Sequence, residues 1–302
     1  MYRNFVAQSP SMKDILSVIK KIAPTNSPII INGENGVGKS IIAEQIHLKS
    51  LRRNELFVRV CCVSNFEQML EVEIFGNNNS SNNSGIGFLE LASKGTILFE
   101  EIGKLPQNLQ KRLLDYIQVN EFDVRIIASS SLDLEVLVNQ GLFLNELYYR
   151  LNTFPINVPS LQYRKEDIEP LAMMFCEIYS KKTKKNFVGF SQNALKMLYD
   201  YYWSGNVREL KNTIERACIL GQPTIIHSSD LRLSVDNNEI YDYQYVKTES
   251  DKTLKTALHK FKRKFVMQIL DSVSWNQTEA AKIMEIQRTY LSKLMNDLDI
   301  RN

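Results

Sequence analysis

The octapeptide Gly33-Glu34-Asn35-Gly36-Val37-Gly38-Lys39-Ser40 carries the strongest chemical signal in the sequence. It fits the spacing G-x-x-x-x-G-K-[ST], in which backbone N–H groups of a glycine-rich loop curl around phosphates and the next helix adds its N-terminal dipole. Lys39 is then placed to reach the β- and γ-phosphates of ATP, and the Ser40 hydroxyl to hold Mg²⁺. The context is the required one: the apolar run Ile29–Ile31 precedes the loop and a helical stretch, Ser40–His47, follows it. A glycine-rich turn with an exposed lysine would not need both flanks. Further on, Gly95-Thr96-Ile97-Leu98-Phe99-Glu100-Glu101 is an apolar strand ending in two acids. Alone, such a pair is a solvated strand end. Behind a phosphate loop it is where an ATPase places its Mg²⁺-associated carboxylate, here Glu100, and the base that orients attacking water, here Glu101.

A second constellation lies near the C-terminus, over Asn276–Leu298. Asn276, with Glu279 three residues on, starts a short helix, Thr278–Met284, in the manner of a capping box. Ala280 and Ala281 are small enough for a close helix crossing, and Ile286, Leu291, Leu294 and Leu298 form the apolar stripe of a second helix. Its other face carries Gln287, Arg288, Thr289, Tyr290, Ser292 and Lys293, residue types suited to base edges and phosphates. Gln277 on the first helix joins them as a DNA-contact candidate. A helical hairpin with a polar outer face fits the same pattern. The basic stretch before it, with Lys260, Lys262, Arg263 and Lys264, favours the DNA reading.

The elements that must position these residues follow from periodicity. Pro28–Ile31, Phe57–Val60, Thr96–Phe99, Val124–Ala128 and Phe154–Val158 read as strands, and Ser40–Leu48 and Pro106–Ile117 as helices between them. This alternation predicts a parallel sheet with helices on both faces. From Arg164 to Leu233 strand signals vanish and helical ones take over, at Ile168–Tyr179, Ala194–Tyr201 and Val207–Leu220. The expected architecture is an α/β P-loop NTPase subdomain over 1–163 and a helical lid over 164–233. A linker over 234–252 and an all-α helix-turn-helix domain over 253–302 complete it. The Asn/Ser tract Asn77–Ser84 cannot bury surface and is expected to be an exposed loop.

Bulk properties narrow the classes. No apolar run reaches the ~20 residues that cross a bilayer, and no signal-peptide core follows Met1, so a cytoplasmic protein with no membrane partner is expected. The cysteines Cys61, Cys62, Cys176 and Cys218 lack CxxC spacing and read as reduced, mostly buried thiols. From Asp251 onward there are ten Lys/Arg against six Asp/Glu, a net of +4, while the rest carries 27 against 28. A basic tail on a near-neutral body points modestly to a polyanion.

With these residues in view, positions 5–235 resemble the AAA+ domain of bacterial enhancer-binding proteins, the activators of sigma-54 RNA polymerase, and 253–300 resemble the Fis-type helix-turn-helix that follows it. The likeness rests on the phosphate loop and on Glu73-Ile74-Phe75-Gly76, Glu146–Asn152, Trp203-Ser204-Gly205-Asn206-Val207-Arg208-Glu209-Leu210 and Trp275–Ala281. It implies that Arg208 reaches nucleotide from the lid, and that Arg150 is one of two arginine fingers donated across a ring of subunits. It also implies promoter DNA and RNA polymerase as partners and a homo-oligomer, dimer or hexamer. The family's usual receiver domain has no counterpart before residue 5, so phosphorylation of such a domain is not expected to regulate the chain.

The departures shape the functional expectation. The GAFTGA loop that touches sigma-54 is replaced between Gly76 and Phe88 by a shorter Asn/Ser tract without an apolar tip. Glu100 stands where the family has Asp, and a misplacement of ~1 Å can cost about a hundredfold in rate. The other arginine finger falls on Leu144, and such a finger is worth ~10³–10⁵ in rate. The Asn that restrains the catalytic Glu corresponds to Cys61, the sensor I Asn to Ser131, and the Gly of the C-terminal turn to Glu285. The leading expectation is a regulator that binds ATP and DNA, hydrolyses ATP weakly or not at all, and acts without sigma-54. A sigma-54-dependent ATPase activator and an AAA+ motor working on another protein are the alternatives.

Overall fold

The β-branched runs of the first half form strands, and the central three of these are covered on both sides. In the computed structural model β1 is Ile29–Asn32, β2 Phe57–Cys61, β3 Thr96–Glu100, β4 Arg125–Ser130 and β5 Phe154–Asn157. They pair in parallel in the order β2-β3-β4-β1-β5. The structure describes residues 5–63, 66–76, 85–119, 123–221, 224–233, 259, 262–263, 265–267, 269–270, 273, 275–298 and 300. The Asn/Ser tract 77–84, the expected linker 234–252, and Lys260 and Lys264 lie outside them.

Side chains alternate along each strand, so neighbours in sequence serve opposite faces. Ile29, Ile31, Leu98, Ile127 and Ile156 face the helices α1 (Pro10–Ile22) and α2 (Lys39–Leu48), packing on Met12, Ile19, Ile42 and Ile46. Ile30, Val60, Ile97, Phe99, Ile126 and Ala128 face the other way. There they meet α3 (Glu67–Phe75), α4 (Phe88–Leu91), α5 (Gln107–Val119), α6 (Leu134–Asn139) and α7 (Asn145–Leu151). This two-sided burial is what a parallel sheet needs. The edges differ slightly from the apolar runs. β4 continues through Ser129 and Ser130, both buried, because Ser130 Oγ donates to the Leu132 carbonyl at 2.7 Å and so carries its polarity inside.

The lid packs α8 (Ile168–Thr183), α9 (Gln192–Asp200), α10 (Asn206–Leu220) and α11 (Ser228–Leu231) around Phe175, Leu198, Trp203, Leu210 and Ile214. One feature contradicts the strand-free reading of this region. Gly189–Phe190 (β6) and Ile225–Ile226 (β7) pair in parallel, a ladder of two residues that is too short to leave a period. Cys62, Cys176 and Cys218 are buried, Cys61 is exposed, and all four thiols are free.

The chain divides into two compact units, 1–233 and 234–302. In the second, α12 (Gln277–Ile283) and α13 (Arg288–Asp297) are joined by a turn in which Glu285 takes the left-handed conformation at φ 53°. Asn276 caps α12, accepting from Thr278 N at 3.1 Å and Glu279 N at 3.3 Å. Ala280, Ala281, Leu291 and Leu298 are buried with Val266 and Leu270. Met295, outside the sequence-read stripe, completes that core. Among the described residues no helix is long and apolar enough to cross a membrane.

Candidate nucleotide site

β1 delivers the chain to the sheet's C-terminal edge, where residues 33–38 turn back into α2. Gly36 (φ +82°) and Gly38 (φ +106°) hold conformations that L side chains rarely adopt. At Gly36 there is also no room: a Cβ would stand 2.2 Å from the Gly205 carbonyl oxygen. Lys39, the first residue of α2, is buried, and its Nζ donates to the Gly33 carbonyl at 2.7 Å and the Glu34 carbonyl at 3.2 Å. The same ammonium pairs with Glu101 Oε1 at 3.0 Å. Glu101 sits just past β3 in the left-handed region (φ 56°), and its Oε2 accepts from Ser131 N at 2.9 Å and Ser131 Oγ at 2.6 Å. Burial alone would push the Glu101 carboxyl up. The hydrogen bonds from Ser131 and Lys39 and the Lys39 charge outweigh it and hold the group below the usual carboxylate range.

Glu100, the last residue of β3, accepts on Oε1 from Ser40 Oγ at 2.5 Å and from Arg59 Nη2 at 2.8 Å. Cys61 lies opposite Glu100 in the β2–β3 register and is exposed. The lid closes the loop's other side. Asn206, fully buried, donates from Nδ2 to Glu34 Oε2 at 2.9 Å and the Asn35 carbonyl at 3.1 Å, and accepts from Leu161 N at 2.7 Å. Arg208 N donates to the Gly36 carbonyl at 3.2 Å while the Arg208 side chain stays exposed. Buried Arg164 donates from Nη2 to the Val37 carbonyl at 2.7 Å; burial pushes its pKa down, and nearby Asp167 opposes this. Asp167 in turn accepts from Gln8 N, Ser9 N and Ser9 Oγ at 2.6–2.9 Å, fixing the segment ahead of α1 to the start of the lid.

The arrangement suits a polyphosphate. A helix N-terminus, a buried ammonium and loop amides converge, and each catalytic-type carboxylate is already oriented by a named donor. The residues also fit a divalent cation: Ser40 spends its one proton on Glu100, which leaves its oxygen lone pairs for a metal.

The family described as "Sigma-54 interaction domain" matches residues 5–157, and that described as "AAA+ ATPase lid domain" matches 162–248. The chain belongs to the sigma-54 interaction domain family. "Regulatory protein AtoC" of Escherichia coli is 33% identical over 98% of this chain and 68% of its own length. "HTH-type transcriptional regulatory protein TyrR" of Haemophilus influenzae is 37% identical over 78% of this chain and 77% of its own. Among solved structures, NtrX from Brucella abortus in complex with ATP is similar with a TM-score of 0.71 and 26% identity, over 98% of this chain and 69% of that one. The chain thus spans about two thirds of AtoC and of NtrX.

Within this sigma-54 interaction domain, Arg150 is exposed in the last turn of α7. Leu144 is the N-cap of that helix and packs against the sheet's core, with its N–H donating to Gln110 Oε1 at 2.8 Å. In the second unit Gln287, Arg288, Thr289, Tyr290, Ser292 and Lys293 are all exposed, whereas Gln277 is half-buried. Lys262 and Arg263 are helical and exposed. Ser131, at the position of the family's sensor I Asn, reaches Glu101 with both its hydroxyl and its N–H. The sequence reading passed over Arg59, Arg164 and the Asn206 side chain. Asn206 lies inside the recognised Trp203–Leu210 stretch, where an asparagine at a left-handed position (φ 54°) is the available signal.

Proposed function

We propose that this chain is a sequence-specific, DNA-binding transcription regulator whose AAA+ module binds ATP with Mg²⁺. It turns ATP over weakly or not at all and acts without remodelling sigma-54 polymerase. The observation that carries the nucleotide half is the pairing of Lys39 with Glu101 and of Ser40 with Glu100 around one glycine-rich turn. The ATP complex of NtrX, a protein of similar fold, supports it. Bound magnesium would offset charge on the β- and γ-phosphates. The chain's own groups do the rest: loop amides and Lys39 hold the phosphates, Ser40 and Glu100 orient the cation, and Arg208 and Arg150 supply cationic side chains from the lid and from a neighbouring subunit. Lys39 must leave Glu101 to reach phosphate, and Glu101, still held by Ser131, is then free to orient water on Oε1.

Weak turnover rests on Leu144, which offers no charge to the transition state, and independence of sigma-54 rests on the Asn/Ser tract, which lacks the apolar tip that touches sigma-54. DNA binding rests on the exposed row Gln287–Tyr290, Ser292 and Lys293, on Lys262 and Arg263, and on the HTH-type name of TyrR. A second reading, a sigma-54-dependent ATPase, is favoured by the family match and the intact Ser131–Glu101–Lys39 chain.

The test is ATP binding and turnover by the purified chain beside Lys39→Ala, with binding to genomic DNA fragments measured for wild type and Arg288→Ala. The expected outcome is nucleotide binding that Lys39→Ala abolishes, turnover well under the ~1 s⁻¹ low end of ordinary enzymes, and DNA binding weakened by Arg288→Ala. Turnover at ordinary enzyme rates would overturn the weak-hydrolysis reading and leave the two ATPase alternatives.

A further inference from the structure

Arg59 is an exposed residue in the middle of β2, and nothing in the phosphate-loop motif calls for it. Alternation puts its side chain on the same face as Cys61, and Cys61 stands opposite Glu100 in the β2–β3 register. That placement carries the guanidinium to Glu100 Oε1 at 2.8 Å. The same oxygen takes the Ser40 hydroxyl at 2.5 Å. The carboxylate best placed to serve a divalent cation is therefore already served by a fixed cation on the protein. A guanidinium keeps its charge at any physiological pH and cannot be displaced into bulk solvent as an ion can.

Building on the nucleotide reading above, we propose that Arg59 is a positioning residue of that site. It supplies part of the positive charge that Glu100 would otherwise draw from the divalent cation, so nucleoside triphosphate binds with a lowered demand for metal. Two consequences follow from Coulomb's law. Without metal, Arg59 offsets the repulsion between Glu100 and the triphosphate. With metal, it weakens the attraction between Glu100 and the ion. Both narrow the gap between metal-free and metal-loaded affinity. Arg59 is more than half exposed, at 56% for its side chain, so solvent screening keeps the effect modest.

The readout is the ratio of the ATP dissociation constant in EDTA to that in saturating Mg²⁺, measured by calorimetry on the full chain. Arg59→Ala is expected to raise that ratio about three- to fivefold, and Arg59→Lys, which keeps the charge, to restore most of the wild-type value. In a Glu100→Gln background the rise on Arg59→Ala is expected to shrink, since the carboxylate that Arg59 holds is then neutral and only the direct, screened attraction between the guanidinium and the triphosphate remains. An unchanged ratio in Arg59→Ala, or the same rise in the Glu100→Gln background, overturns the inference and reduces the contact to a surface ion pair. Absence of ATP binding by the wild type under either condition overturns the nucleotide reading itself, and this inference with it.

Discussion

Asn206 shows how much a single side chain can carry at the junction of two subdomains. It is fully buried, yet it takes the left-handed conformation at φ 54° and uses both ends of its amide: two donor bonds to the phosphate loop and one acceptor bond to Leu161 N. Asparagine is among the few side-chain-bearing residues that visit this conformation readily. Asn206→Ala is therefore expected to destabilise in two separable ways. Loss of the amide leaves the buried Leu161 N–H without its acceptor, at about 1–3 kcal/mol. Alanine lacks the short polar side chain that lets asparagine tolerate a left-handed turn, which adds at most about 1–2 kcal/mol. Asn206→Gly incurs the first cost and avoids the second, so denaturant unfolding should rank wild type above Asn206→Gly and that above Asn206→Ala. Equal stabilities for the two variants would show that the backbone there relaxes freely.

At the scale of elements, the phosphate loop is shaped as much by the lid as by its own sequence. Gly36 and Gly38 both have positive φ, but their surroundings differ. A Cβ at Gly38 would meet nothing within 4 Å, whereas one at Gly36 would stand 2.2 Å from the Gly205 carbonyl. Gly38→Ala should cost only conformational strain, on the order of 1–3 kcal/mol. Gly36→Ala should force the Gly205–Arg208 segment off the loop as well, breaking the Arg208 N to Gly36 O bond. Amide exchange over residues 205–208 is expected to speed up in Gly36→Ala and not in Gly38→Ala, and equal exchange would show that the lid does not rest on the loop. This distinction marks the limit of what sequence can tell. The glycine spacing, the strands and the paired acids are local patterns, legible because their chemistry is contiguous. Arg164 to Val37 and Asn206 to Glu34 join residues 127 and 172 positions apart, and no periodicity records such pairs. The hold of Ser131 on Glu101 likewise spans 30 positions, and no local pattern records it.

For the molecule as a whole, acid should act at the end of the sheet opposite the phosphates. His47 near the end of α2 is buried, its Nδ1 lies 3.0 Å from Thr96 Oγ1 at the start of β3, and its ring sits 5.1 Å from that of Phe57. α2 begins at Lys39 and β3 ends at Glu100, so this contact ties together the far ends of the two elements that present the site. Burial, the largest influence, pushes the His47 pKa below 6.5, and a backbone hydrogen bond involving Glu55 only partly opposes it. Above pH 6.5 the imidazole is neutral in both states and contributes no pH dependence. As pH falls below that value the unfolded chain takes up a proton that the folded chain resists, so stability declines until the folded pKa is reached. Glu101 has the opposite charge but the same direction. Its folded pKa lies below 4.5, so its contribution is complete above that value and is lost as pH falls through the folded one. Two acid-sensitive windows follow, with His47 the first to be reached. The melting temperature, followed from pH 8 to pH 3, should therefore be level above about 6.5 and fall below it. His47→Gln, which keeps a partner for Thr96 and cannot be protonated, should flatten that fall while leaving the later Glu101 loss, below pH 4.5, in place. A variant with the wild-type slope would assign the first window to other groups. Saturating ATP binds only the folded state, so under the nucleotide reading it should raise the whole curve, by about 2.7 kcal/mol at a hundred times the dissociation constant.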